Sequence, residues 1–169
     1  MTQSFPDGLS QRNLDGRGRA SLLSLILLAG LMAAGLAGLF GGQPSTTWRA
    51  DGEATLKVKT PTVLRNGMIF ETIVEVRPKQ PVDNLVIGVS DPLWRNMTIN
   101  TMIPAASEES YMNGFRRFAF GELDQGDTLR FKIDGQTNPS LLGGTSGVIA
   151  VFDGEKELTS IAIKMKVLP

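Results

Sequence analysis

Hydrophobic residues follow two different patterns in this chain, one continuous and one alternating. Residues 21–40 form the continuous run, SLLSLILLAGLMAAGLAGLF, in which two serines are the only polar side chains. After Asp51, apolar and polar residues alternate, which is the period-two signal of half-buried β-strands. The first pattern predicts an apolar helix, and the second predicts a separate β-rich domain that begins near residue 51.

The continuous run is long enough to cross a lipid bilayer once. At about 1.5 Å per residue, twenty helical residues span about 30 Å, the thickness of the hydrocarbon core. Arg17 and Arg19 precede the run and the next basic residue is Arg49, so the positive-inside rule places the N-terminus in the cytoplasm. We therefore expect a single-pass protein of the cell inner membrane. Its parts are a cytoplasmic tail (1–19), a transmembrane helix (20–42), a tether (43–50) and a periplasmic or extracellular domain (51–169).

The residues that flank the predicted span suit the two bilayer interfaces, where aromatic rings and basic groups concentrate. They are Arg17 and Arg19 on the inner side, and Phe40, Trp48 and Arg49 on the outer side. A cleavable signal peptide is the alternative, because Gly35-Leu36-Ala37 fits a small-x-small cleavage site. The apolar run exceeds the usual signal core of about 7 to 15 residues, which favours an uncleaved anchor.

Small residues recur on one side of the predicted helix. They occupy two adjacent rows, Gly30, Ala34, Gly38 and Gly42 beside Ala33, Ala37 and Gly41. Helices in lipid approach one another closely across such faces, since burial of apolar surface gives no drive for association there. The rows predict docking against other transmembrane helices or against a second copy of this chain. The alternative is that glycine and alanine are simply frequent in membrane spans.

The rest of the chain predicts about eight short strands. Clear alternations surround Phe131 and Ile163, and shorter ones cover residues 54–60, 69–77, 84–90, 97–103, 115–120 and 147–152. Glycine and proline pairs separate the runs, including Asp134-Gly135 and the hairpin signal Asp153-Gly154. Such spacing without a convincing helix predicts an all-β fold, an antiparallel β-sandwich.

One segment suggests a family likeness for this sandwich. Residues 121–127, GELDQGD, precede a strong strand and resemble a turn of many bacterial sandwich modules. In general shape the domain resembles immunoglobulin-like and fibronectin-like sandwiches. This resemblance implies an immunoglobulin-like β-sandwich, and it carries no motif that would assign an activity.

Composition argues against several kinds of function. The 17 basic and 17 acidic residues cancel, so no global field attracts nucleic acid. The chain has no Cys and no His, which removes thiol chemistry, imidazole catalysis and Cys/His metal sites. A serine-lysine dyad of the signal-peptidase kind would need its motif soon after the helix, where the chain reads Pro44-Ser45-Thr46-Thr47. We expect no enzyme, no cofactor and no metal site.

A surface for other proteins is the remaining possibility. The irregular stretch from Asp91 to Gly114 and a later leucine pair are rich in large apolar side chains. These candidates for partner contact are Trp94, Met97, Ile99, Met102, Tyr111, Met112, Leu141 and Leu142. Each of them could instead be a core residue, because large apolar side chains are usually buried.

Two functions remain open. The first is a non-catalytic subunit that helps to assemble or stabilise a larger membrane complex, whether respiratory, photosynthetic, secretory or transport. Its partners would be other transmembrane helices and the lipid bilayer, and self-association is possible. The second is a membrane-tethered exported module that binds a soluble protein or a cell-envelope ligand.

Overall fold

The structure is a computed structural model that describes residues 17–40 and 45–169, with the backbone alone for residues 17–20. The chain divides after Leu39 into two compact units. Among the described residues, the first unit contains a helix and the second contains the strands.

The helical unit contains α1 (Arg17–Leu36), which has 20 residues. Gly38 ends this helix in the left-handed conformation, with a φ of 73°. The N–H of Gly38 donates to the Gly35 carbonyl oxygen at 2.9 Å, and the N–H of Leu39 donates to that of Ala34 at 3.0 Å. This pair of bonds is the Schellman arrangement, which satisfies the last carbonyls of a helix and stops it. The helix predicted to continue through Phe40 therefore ends earlier.

The transmembrane prediction for residues 20–42 has no support from this part of the structure. Over residues 17–40 and 45–169, no helix combines the length and the apolar character that a membrane crossing requires. The predicted cytoplasmic tail, 1–19, lies almost wholly outside the described residues.

Eleven strands and one short helix form the second unit as described. The strands are β1 (Thr46–Asp51), β2 (Ala54–Thr60), β3 (Val63–Arg65), β4 (Ile69–Pro78), β5 (Val82–Ser90), β6 (Met97–Ile103), β7 (Glu108–Met112), β8 (Phe115–Leu123), β9 (Leu129–Thr137), β10 (Thr145–Asp153) and β11 (Lys156–Leu168). The helix α2 (Asp91–Trp94) lies between β5 and β6, and Pro92 occupies its first turn, where a missing N–H costs nothing.

The strands form two sheets that pack face to face. One sheet has the order β1-β2-β4-β9-β6, and the other has the order β3-β11-β10-β5-β8-β7. Alternate side chains of both sheets point inward, and the largest fully buried ones include Phe131, Leu56, Ile87 and Ile149. The predicted β-sandwich is therefore confirmed. It is not wholly antiparallel, because β3 runs parallel to β11, and the immunoglobulin-like topology stays a prediction.

The predicted tether is shorter than expected. Strand β1 pairs with β2 along its whole length, from Thr46 opposite Thr60 to Asp51 opposite Thr55. Residues 46–50 thus belong to the sheet, and Trp48 packs partly against the core. The sequence pattern missed this strand because its core-facing side carries only two apolar residues, Trp48 and Ala50, and both are only half-buried.

Two glycine pairs predicted as turns have different outcomes. Asp153-Gly154 does form a hairpin, in which Asp153 pairs with Lys156 across a two-residue turn. Asp134-Gly135 does not, because β9 continues through it to Thr137. Gly135 lies opposite Phe70 of β4, and a Cβ added to Gly135 would come within 2.8 Å of the Phe70 ring. This glycine makes room for an aromatic ring instead of turning the chain.

Candidate interaction site

The sandwich is open along one side, between the edge strands β6 and β7. A groove of about 530 Å³ runs there, lined by Trp94, Ile99, Met102, Glu109, Ser110, Tyr111, Arg116, Arg117 and Phe118. Each sheet contributes one wall, and the core of the sandwich forms the floor.

Aromatic rings make this floor rigid. Trp94 and Phe118 are 2% and 4% exposed, and their ring centroids lie 5.8 Å apart. Phe118 in turn packs on Phe131, the largest fully buried side chain, with centroids 5.7 Å apart. Tilted aromatic pairs at such distances add stabilisation beyond the area they bury. The groove therefore rests on fixed core residues.

A bulge in β6 builds the first wall. Ile99 pairs with Gly135 and Thr101 pairs with Asp134, so Asn100 is an extra residue without a partner. A bulge of this kind reverses the alternation of side chains. Ile99 and Met102, three residues apart, consequently both face inward and are half-buried.

Strand β7 builds the second wall and is fully exposed along its length. It pairs with β8 through an unbroken register, with Glu109 opposite Phe118 and Tyr111 opposite Arg116. Glu109 and Tyr111 thus lie on the groove side, and Tyr111 is 64% exposed. In the described part of the chain, no strand pairs with the other edge of β7.

Charged groups at the groove are held in specific contacts. Asp91, in the first turn of α2, lies 3.4 Å from Arg95 and 3.5 Å from Arg116. Arg117 points to the opposite face of the sheet, where its guanidinium stacks 4.4 Å from the Phe152 ring centroid and donates to the Gly154 carbonyl oxygen. Strand β8, on which the β7 wall is hydrogen-bonded, is therefore held by side-chain contacts on both of its faces.

The arrangement offers contact surface for another molecule. Residues 17–40 and 45–169 contain no cluster of three or more carboxylate, Cys or His ligands that could hold a metal ion. Clearly shifted pKa values occur elsewhere on the domain, at Asp51 and Lys132. What the groove can do chemically is bury an apolar chain between Ile99, Met102 and Tyr111.

The eight predicted contact residues divide into three groups. Trp94, Met97 and Leu141 are buried core residues, although Trp94 also forms part of the groove floor and Leu141 lines a separate groove. Ile99, Met102 and Tyr111 come together in the groove, whereas the sequence named them only as separate candidates. Met112 lies at the end of β7 on the outer face, and Leu142 lies in a loop beside a separate groove of about 480 Å³.

The predicted helix-packing and interface residues lie in several places. Gly30, Ala33 and Ala34 are within α1, whereas Ala37 and Gly38 belong to its terminating turn. Gly41 and Gly42, and the side chains of Arg17 and Arg19, lie outside the described residues. Phe40 is exposed, and Trp48 and Arg49 are part of β1. Gly38 adopts a left-handed backbone conformation in that turn, which glycine takes without strain, and the packing of the small-residue rows against another helix stays a prediction.

Sequence reasoning missed Glu109, Arg116 and Phe118. Their positions in the groove depend on the order of strands in two sheets, and no local pattern contains that order. The pair Asn113-Gly114 was the available signal, because it marks a hairpin between β7 and β8.

Comparison with known proteins gives likeness at the level of shape. No family model matches the chain, and no curated protein matches it. Among solved structures, the CARDB domain of a Pyrococcus furiosus protein, in complex with di-metal ions, is 16% identical with a TM-score of 0.46, covering 69% of this chain and 89% of that one. A non-cellulosomal cohesin from Archaeoglobus fulgidus is 10% identical with a TM-score of 0.43, and the match covers 75% of this chain and 93% of the cohesin. A cohesin module from a Clostridium perfringens family 33 glycoside hydrolase is 14% identical with a TM-score of 0.41, covering 69% and 98%. At these values the likeness says nothing about ligands or partners.

Proposed function

We propose that this chain is a non-catalytic accessory protein that binds another polypeptide along the open edge of its β-sandwich. The observation that carries the proposal is the groove between β6 and β7. Its floor of Trp94 and Phe118 is made of packed core rings, its walls hold Ile99, Met102 and Tyr111, and the outer edge of one wall, β7, has no partner strand in the described part of the chain. An exposed strand edge beside an apolar groove suits an extended polypeptide, since the backbone supplies hydrogen bonds and the groove accepts alternate side chains.

A charge placed in the groove tests this proposal. Met102→Glu puts a carboxylate on a half-buried wall, and Leu142→Glu is the matched control on an exposed loop elsewhere. We expect polypeptides that co-purify with the wild-type chain after gentle detergent extraction to be lost with Met102→Glu and kept with Leu142→Glu. Thermal unfolding of both variants is the control, and we expect both to unfold cooperatively, as a folded domain does. Equal retention by both variants would refute a role for the groove.

The proposal extends to the helical unit. We propose that the apolar segment 20–42, which includes most of α1, holds the protein at the inner membrane, with the N-terminus in the cytoplasm and the β-domain outside. Support comes from its large apolar side chains, which are exposed on every side of the helix: Leu22, Leu23, Leu25, Ile26, Leu27, Leu28, Leu31, Met32 and Leu36. A helix that is apolar all round needs cover from lipid or from other helices.

Flotation with lipid vesicles tests this attachment. The wild-type chain is expected to float with vesicles after a high-salt wash, and a Leu27→Lys, Leu31→Lys variant is expected to remain in the soluble fraction. Arg49→Leu, which adds an apolar side chain to β1, is the control that should behave as wild type. A charged double variant that still floats would contradict lipid attachment through α1.

Docking between helices requires a different variant. A Cβ on Gly30 would meet nothing within 4 Å, so Gly30→Leu tests approach by a partner helix without a clash inside the chain. Loss of helix partners with Gly30→Leu, but not with Leu27→Ala, is the expected result.

Removal of residues 1–42 separates the two functions that the sequence left open. If the shortened chain still binds its partner at the groove, the protein is a tethered binding module. If that binding is lost, the protein is an assembly subunit.

A further inference from the structure

Four strands form the edges of the two sheets, and three of them carry a feature that blocks further pairing. Strand β3 has three residues, β6 contains the bulge at Asn100, and β1 carries the exposed ion pair between Arg49 and Asp51 at 3.0 Å. Short strands, bulges and charges are the usual protections of a sheet edge. Strand β7 has five residues in regular register without a bulge, and its charges are confined to Glu108 and Glu109 at one end, so that residues 110–112 present an uncharged edge. It is the edge most open to an added strand.

The hairpin turn fixes which groups β7 presents. Asn113 and Gly114 have φ values of 52° and 81°, and Met112 pairs with Phe115 across this two-residue turn. In such a hairpin the flanking residues exchange both backbone hydrogen bonds, and bonded and non-bonded pairs alternate from there. Met112 and Ser110 therefore bond to β8. The N–H and C=O groups of Glu109 and Tyr111 point out from the sheet.

We propose that the polypeptide bound at the open edge is a second copy of this chain, joined through antiparallel pairing of the two β7 strands. This inference rests on the proposed function, because it names the occupant of the same site. A two-fold axis through Ser110 places Glu109 of one copy opposite Tyr111 of the other, so that the outward groups of both strands bond. Ser110 then faces Ser110 of the second copy as a non-hydrogen-bonded pair.

Side-chain chemistry favours this register. Glu109 lies opposite Tyr111 and Glu108 opposite Met112, so no carboxylate directly faces another across the interface. The Tyr111 hydroxyl can donate to the Glu109 carboxylate of the second copy, which is a charge-assisted hydrogen bond. Neither glutamate forms an ion pair in the described part of the chain. A chain with 17 basic and 17 acidic residues also carries no net charge to oppose self-association.

Cysteine crosslinking tests the register directly, because the chain has no cysteine of its own. Non-hydrogen-bonded partners in antiparallel strands have Cα atoms about 4.5 Å apart, within the range of about 4.4 to 6.8 Å that a disulfide spans. Full-length Ser110→Cys in native membranes is expected to form a disulfide-linked dimer in most of the protein on mild oxidation. Glu108→Cys and Met112→Cys should each stay monomeric alone and crosslink when the two variants are co-expressed.

The opposite results would overturn the proposal. Ser110→Cys that crosslinks no more than the exposed control Leu142→Cys would exclude the two-fold pairing, and Glu108→Cys that crosslinks alone would exclude the register. Thermal unfolding of reduced Ser110→Cys, expected to match wild type, shows that the fold is kept. If Ser110→Cys fails while Met102→Glu still releases a co-purifying polypeptide, the occupant is a different protein and the proposed function stands.

Discussion

At the scale of single residues, the contact between Phe70 and Gly135 shows how closely the sheet is fitted. An added Cβ at Gly135 would lie 2.8 Å from the Phe70 ring, so Gly135→Ala should force the ring aside. Overpacking of this kind costs about 1 to 3 kcal/mol. We expect Gly135→Ala to lower the free energy of unfolding by that amount, measured by urea denaturation.

The smaller side chain of Phe70→Leu should partly relieve this clash. The double variant is then expected to lose less stability than the sum of the two single variants. If the double variant instead loses as much stability as the two single variants combined, the Phe70 ring and Gly135 do not crowd each other.

Asp51 is one of two groups in the described part of the domain with a clearly shifted pKa, and Lys132 is the other. A hydrogen bond from Thr55 Oγ1 at 2.7 Å, and a second from Arg49 Nε at 3.0 Å, hold the pKa of the Asp51 carboxyl below its usual value. A lowered pKa means that the ionised form is favoured in the folded chain. Its stabilising contribution is present above the pKa of an unfolded aspartate, and it disappears as the pH falls through the folded pKa.

Carboxyl NMR titration measures this directly. Thr55→Val should raise the pKa of Asp51, because the hydroxyl is the main cause of the shift, whereas Thr55→Ser should keep it low. An unchanged titration midpoint in Thr55→Val would assign the shift to Arg49 instead.

At the scale of elements, the sequence predicts strands well where one face is apolar and poorly where neither is. Strands β2 and β6 match their predicted residues, 54–60 and 97–103. In β2, the buried Leu56 and Val58 alternate with polar residues. Strand β6 begins at Met97, directly after a turn. Strand β7 was missed because all five of its side chains are exposed. Backbone hydrogen bonds to β8 hold this strand in place, and such bonds leave no alternation of apolar and polar residues in the sequence.

Strand β1 gives an element-scale prediction that separates a strand from a tether. Trp48 packs partly against the core, so Trp48→Ala should reduce the free energy of unfolding by about 1 to 3 kcal/mol. Arg49→Ala removes only an exposed ion pair, which contributes little because both charges remain in water, so its loss of stability should be clearly smaller than that of Trp48→Ala. Thermal or urea unfolding compares the two variants. Equal and negligible losses would mean that residues 46–50 behave as a tether after all.

At the scale of the whole molecule, the site arises from the way two sheets meet. The sequence identified Ile99, Met102 and Tyr111 as candidates, but it could not bring them together, since β6 and β7 belong to different sheets. Nor could it separate them from Trp94 and Met97, whose side chains have the same character and lie in the core. Burial is a property of the assembled sandwich. The open side between its edges is the feature from which the proposed binding follows.

The most direct test of this account places a photo-crosslinking amino acid at Tyr111 of the full-length chain in the cells that produce it. Illumination should join the chain to another polypeptide, with adducts abolished by Met102→Glu and absent when the probe replaces Thr47, on the edge strand β1. Adducts of equal yield from both positions, or none from Tyr111, would contradict binding at the open edge.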